Sequence, residues 1–259
     1  PLIDFEVENP CSGASVFSIN QTTISNGFVT AYLWDTGDGN TSSSEQLEYT
    51  FNNPGSYTIS LTALSDEGCE SVEAIDIEVY PLPNVAFEMS SNSTCENIDV
   101  LLTDNSQISS GEISGNIWLV DGVAAGQGFE FALDNIGPGQ HSIGLVSISD
   151  QGCESATTST TNLVVFPNPI SGFSYSPNEV TTQTPIVTIN DQSLGATSWM
   201  YTISDGGLYL NDEFSHEFST PGEYEIWQFV TNQFGCVDST LRVVDMQPAL
   251  IVFVPNAFT

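Results

Sequence analysis

Apolar and polar side chains alternate along much of this chain. Tyr57, Ile59 and Leu61 point one way, and Thr58, Ser60 and Thr62 the other. That is the two-residue period of a strand with one buried face. The same alternation marks Asp4–Glu8, Val16–Ile19, Phe28–Asp35, Leu47–Phe51 and Ile75–Val79. Between these runs stand turn-forming residues: Asn26-Gly27, Thr36–Gly39 and Asn52–Gly55. The pattern predicts about seven short strands in the first 82 residues, and no helical period appears.

This grammar returns twice. Trp34, Trp118 and Trp199 open three copies, Pro54-Gly55, Pro138-Gly139 and Pro221-Gly222 mark their middles, and Gly68-Cys69, Gly152-Cys153 and Gly235-Cys236 mark their ends. The last two landmarks recur after 84 and then 83 residues. A fixed period of this kind means an array of similar domains. The expected boundaries are 1–82, 83–168 and 169–247, with 248–259 beginning a further domain. Strand number and a tryptophan between two cysteines predict an all-β chain of three tandem immunoglobulin-like sandwiches. Pro81-Leu82-Pro83 and Pro167-Asn168-Pro169 are stiff connectors. With these in line, an extended rod of at least roughly 80 Å is expected. No signal peptide is visible at Pro1, and the sequence reads as part of a longer chain.

Charge narrows the function. The chain holds 33 Asp plus Glu, one Arg (Arg242) and no Lys, for a net charge of −32. Nucleic-acid binding needs a basic footprint that is missing here. An anionic membrane surface would repel the chain, and no apolar run is long enough to insert into a bilayer. Hydrophobic residues still make up 40% of the sequence, a globular proportion. The carboxylates are expected to be solvated and mutually repulsive, with divalent cations as a further way to neutralise them.

The five cysteines offer a second constraint. Cys11 and Cys69 lie 58 residues apart, as do Cys95 and Cys153. The equal spacing predicts disulfides Cys11–Cys69 and Cys95–Cys153 and leaves Cys236 as a free, buried thiol. Each bridge would stabilise its domain by roughly 4 kcal/mol in the chain-entropy model. Oxidised pairs imply an extracellular or periplasmic setting.

Candidate chemistry is sparse. His141 stands where Tyr57 and Tyr224 stand, and His216 where Tyr49 stands, so both read as fold positions. No catalytic triad, zinc motif or phosphate loop is present, and the chain is expected to be no enzyme. Asp35, Asp38 and Asn40 cluster in one turn and are candidate calcium ligands, although turn geometry alone also explains Asp and Gly there. Glu78, Glu88 and Asp245, near the predicted joints, are equally eligible. Asp238-Ser239-Thr240 offers Ser239 as a candidate O-glycosylation site, and an ordinary strand residue accounts for it as well. Tyr32, Tyr209 and Trp227 are candidates for an aromatic platform, set against plain packing.

Two stretches resemble known families. Tyr32–Gly39, with Asn53–Ile59 and Gly68-Cys69, resembles the signatures of polycystic-kidney-disease (PKD) domains; His216–Phe218 before Pro221-Gly222 is similar. The second copy departs from the pattern, with Val120-Asp121-Gly122 in place of the Asp/Gly turn. Val254–Thr259 resembles the opening of the C-terminal sorting domain associated with gliding motility, which directs type IX secretion to the bacterial surface. Together these resemble a very large gliding-motility adhesin of the SprB type. The resemblance implies an outer-membrane-associated, extracellular stalk that meets an extracellular surface or polysaccharide and engages the secretion and gliding machinery through its C-terminal region. A carbohydrate- or protein-binding module, or an accessory part of a secreted hydrolase, is the alternative.

Overall fold

The computed structural model describes residues 1–155 and 159–249. All its regular elements are β-strands. The chain forms two compact units: Pro1–Ser90 with Leu101–Ala132 and Ser142–Asn162, and Ser91–Val100 with Leu133–His141 and the chain from Leu163 onward. Among the described residues no helix is long and apolar enough to cross a membrane.

The first sequence repeat contains β1 (Ser15–Ser18), β2 (Val29–Asp35), β3 (Thr41–Ser42), β4 (Leu47–Thr50), β5 (Gly55–Ser65) and β6 (Glu70–Val79). Hydrogen bonding orders one sheet β3-β2-β5-β6 and pairs β1 with β4 in another. The alternation at Ile59, Leu61 and Ala63 is realised on β5, where all three are fully buried. The strand predicted at Asp4–Glu8 is reduced to single bridges, Leu2 with Thr23 and Phe5 with Asn20.

The second repeat contains β7 (Phe87–Met89), β8 (Ser93–Cys95), β9 (Val100–Asp104), β10 (Ile113–Val120), β11 (Val123–Gly126), β12 (Glu130–Leu133), β13 (Gly139–Ser149) and β14 (Ser159–Phe166). The third contains β15 (Phe173–Ser176), β16 (Val180–Thr181), β17 (Ile186–Asp191), β18 (Ser198–Ile203), β19 (Leu208–Tyr209), β20 (Glu213–Glu217), β21 (Gly222–Thr231) and β22 (Val237–Gln247). Its sheets run β15-β17-β20 and β16-β22-β21-β18-β19. Two facing antiparallel sheets around one core make the chain all-β and immunoglobulin-like, in tandem.

Each core is built on one aromatic contact. Phe5 meets Trp34 edge-on at 4.9 Å, Phe87 meets Trp118 at 5.4 Å, and Phe173 meets Tyr201 at 5.6 Å. The third aromatic is not the expected Trp199. Trp34 lies opposite Leu61, Trp118 opposite Leu145, and Tyr201 opposite Gln228. Trp199 sits two residues earlier, only partly buried against the core. Its indole nitrogen donates to the Ser193 hydroxyl at 3.2 Å.

The third core is therefore partly polar. Fully buried Gln228 donates from Nε2 to the Tyr201 hydroxyl at 2.8 Å and to Asp191 at 2.7 Å, and accepts from the Gly172 amide at 2.7 Å. Every polar atom of that amide thus has a partner, as burial requires. Burial, with the nearby Asp191 charge, pushes the Tyr201 phenol up to about 12.

Candidate functional site

The Gly-Cys landmarks are tight hairpins that aim a cysteine. Gly68, Gly152 and Gly235 have φ of 79°, 78° and 85°, left-handed values that glycine adopts without a Cβ clash. The cysteine amide then donates to a side chain four residues back: Cys69 to Ser65 at 2.9 Å, Cys153 to Ser149 at 3.0 Å, Cys236 to Asn232 at 3.0 Å. The amide of that same residue donates to the cysteine carbonyl at 2.9 Å in all three copies. Sequence reading missed these capping residues, whose signal is a Ser or Asn four positions before each cysteine.

The early cysteines sit at the opposite end of their repeats. Cys11 bridges Tyr80 in parallel, and the Ser12 amide donates to the Tyr80 carbonyl at 2.8 Å. Cys95 is in register with Phe166, and the Glu96 amide donates to the Phe166 carbonyl at 3.0 Å. Tyr80 and Phe166 are the last residues before the two Pro-x-Pro connectors.

This placement overturns the expected pairing. The bonds are Cys11–Cys153 and Cys95–Cys236, with Cα separations of 5.7 and 5.6 Å, and Cys69 is the free, exposed cysteine. Cys69 precedes β6 and Tyr80 follows it, so a strand of 10 residues separates Cys69 from Cys11. That is roughly 33 Å, against the 4.4–6.8 Å that a disulfide spans. Cys236, expected to be free, is buried and bonded. The early cysteine of one repeat thus joins the late cysteine of the next, and the bond straddles the connector. The sequence separations are 142 and 141 residues.

Other contacts reinforce these joints. At the second, Asn232 Nδ2 donates to the Pro167 carbonyl at 2.8 Å, and Phe234 stacks on Phe166 at 4.2 Å. Asn168 donates from its amide to the Glu96 carboxylate at 2.9 Å. At the first, a cleft of about 250 Å³ is lined by Glu78, Tyr80, Pro81, Ile108, Asp150 and Gln151 among others.

The candidate calcium ligands do share one turn, but they face inward to it. Asp38 Oδ1 accepts from the Thr36 hydroxyl at 2.6 Å and Asn40 Nδ2 at 3.1 Å; Oδ2 accepts from the Tyr49 hydroxyl at 2.6 Å. Asp35 accepts from the Gly37 amide at 2.8 Å. Desolvation raises the Asp38 pKa, but the hydrogen bonds from Thr36, Tyr49 and Asn40 outweigh it and hold the carboxyl at about 2. The same contact, led by the hydrogen bond to Asp38, pushes the Tyr49 phenol up. Among the described residues no group of three or more His, Cys, Asp or Glu is arranged around a metal position.

The equivalent turn of the third repeat replaces tyrosine with histidine. His216 Nε2 lies 2.8 Å from Asp205 and Nδ1 2.8 Å from the Tyr209 hydroxyl. His141 also fills a fold position. Its Nε2 lies 2.9 Å from the Gly137 carbonyl, where Tyr57 and Tyr224 likewise bond the carbonyl four residues back.

Ser239 is exposed on β22, while the neighbouring Asp238 accepts from the Ser171 amide at 2.7 Å, and that bond lowers its pKa. Tyr32 packs against the first core and Tyr209 stacks on Phe214 at 3.8 Å. Trp227 is 38% exposed and stacks at 6.0 Å on Phe229, a partner that sequence reading had not named. The segment from residue 250 lies outside the described residues.

Comparisons with known proteins agree with the first repeat's motifs. The family model of the PKD domain matches residues 1–79. The pre-pro-metalloprotease PrtV of Vibrio cholerae is 28% identical over 158 residues, 61% of this chain. Collagenase ColA of Bacillus cereus is 34% identical over 70 residues, 27% of this chain. The chain spans 17% and 7% of the lengths of these relatives. The crystal structure of the PKD1 domain of PrtV is 34% identical, covering 30% of this chain and 95% of that domain, with a TM-score of 0.29.

Proposed function

We propose that this segment is a non-catalytic, load-bearing spacer of an extracellular protein. The observation that carries this reading is the repeated disulfide across a joint, Cys11–Cys153 and Cys95–Cys236. A covalent bond placed over a proline connector restricts how neighbouring sandwiches separate or turn. Disulfides also point to folding in an oxidising compartment. The net charge of −32 serves the same role, since acidic neighbours repel one another until salt screens them beyond about 8 Å.

The parent protein we favour is a bacterial surface adhesin in gliding motility, exported by type IX secretion and held at the outer membrane. The tail Val254–Thr259 supports that choice. The repeats would then hold an adhesive region toward an extracellular surface or polysaccharide. The likeness to PrtV and ColA supports a second reading, an accessory segment of a secreted protease. Both readings share the spacer role.

Adhesion of coated beads tests it. Beads carrying the oxidised segment, on glass and on polysaccharide, with calcium and with chelator, are expected to stick no better than equally charged control beads. Specific sticking would make the repeats themselves adhesive, and calcium dependence would direct attention to Asp35, Asp38 and Asn40.

A further inference from the structure

Cys69 is exposed and unbonded, yet it is presented as its two bonded equivalents are. All three late cysteines follow a left-handed glycine, donate to a side chain four residues back, and accept through the carbonyl from the same residue's amide. The equivalents do more than share a loop. Cys153 and Cys236 are each bonded to an early cysteine that lies one repeat further back, and both become fully buried there. The two internal copies therefore show what this position binds when a preceding domain is present.

We propose that Cys69 forms a third inter-domain disulfide, with the early cysteine of another domain of this kind that precedes the first repeat. The two bonds on the page set the address of that partner. It stands 141 or 142 residues before Cys69, on a segment paired with the last residue before the connector, as Cys11 is with Tyr80. A second copy of these 259 residues does not supply it, because Cys11 and Cys95 are both already bonded. In the forming step, Cys69 and the partner thiol together lose two protons and two electrons to the disulfide of a thiol oxidoreductase, which is left as a dithiol. The sulfur–sulfur bond gained in the substrate balances the one lost in the oxidant. This inference does not rest on the spacer role: the bond would form equally in an accessory segment of a protease.

The experiment uses the intact parent protein as it is secreted. It is denatured and alkylated with iodoacetamide without reductant, then digested and mapped by mass spectrometry. Cys69 is expected to remain unlabelled and to appear in a disulfide-linked pair with a peptide from a like domain. A Cys69→Ser parent protein is expected to expose one newly labelled cysteine on that domain, while Cys11–Cys153 and Cys95–Cys236 persist. The proposal is overturned if Cys69 is alkylated without reductant, carries a small-molecule thiol, or is linked to any cysteine within residues 1–259.

Discussion

Pulling the chain by its two ends turns cysteine connectivity into a length. Cys11 and Cys236 are 225 positions apart in sequence. With both disulfides intact, the shortest covalent route between them crosses one sulfur–sulfur bond and 83 residues, from Cys153 to Cys236. The alternative route, from Cys11 through Cys95, uses 84 residues. Reduction therefore frees 142 residues, or about 500 Å at roughly 3.5 Å per extended residue. Single-molecule force spectroscopy of the 259-residue chain, before and after reductant, measures this difference as contour length. Pairing within each repeat gives another answer. It would add the 26 positions from Cys69 to Cys95 to the taut route, about 90 Å more than expected. An oxidised chain that stretches as far as the reduced one, or that overshoots by about 90 Å, would refute the inter-repeat connectivity.

Other perturbations follow from the cores and turns. Trp34→Ala is expected to cost about 3–5 kcal/mol in the first repeat, because the indole is fully buried, while Trp199→Ala costs less; chemical denaturation compares them. Asp38 has a folded pKa of about 2, below the unfolded value of 3.8, so its stabilisation is complete above pH 3.8 and is lost as pH falls toward 2. Asp38→Asn should flatten acid unfolding in that window and lower the pKa of Tyr49, read by ultraviolet titration; an unchanged acid profile argues against the turn. Tyr201 works in the opposite direction. The unfolded phenol ionises near 10 and the folded one near 12, so the third repeat should lose stability as pH rises between them. Tyr201→Phe should remove that loss, and a variant that still unfolds over this window would discount the buried phenol.

The strands were legible because each is half-buried, and a half-buried strand must alternate. The first expected strand was the exception: Phe5 and Val7 alternate, but only Phe5 is tied by a bridge. The Trp199 error has a simple origin. The period of 83 residues leads from Trp118 to Tyr201, and matching by residue type overrode it. Tyr201 keeps the aromatic contact and compensates for its hydroxyl through Gln228, a substitution that reads as polar in one dimension. The cysteine spacing misled for a different reason. Positions fixed in a repeat are equally spaced whether they bond within a copy or one copy onward, so 58 and 142 carry the same regularity. Only the end of the sandwich at which each cysteine sits decides between them.

Interleaving of the two bonds also governs what a protease can detach. Cys11, Cys95, Cys153 and Cys236 divide the bonded region into three stretches. One cut in any stretch leaves every piece attached through the disulfides, and so do two cuts in different stretches. Three cuts, one in each, are needed to part the chain into two halves. Had the bonds closed within single repeats, one cut between Cys69 and Cys95 would have severed the array. A protein displayed among hydrolases would keep its distal end through damage that would shed a sequentially bonded chain.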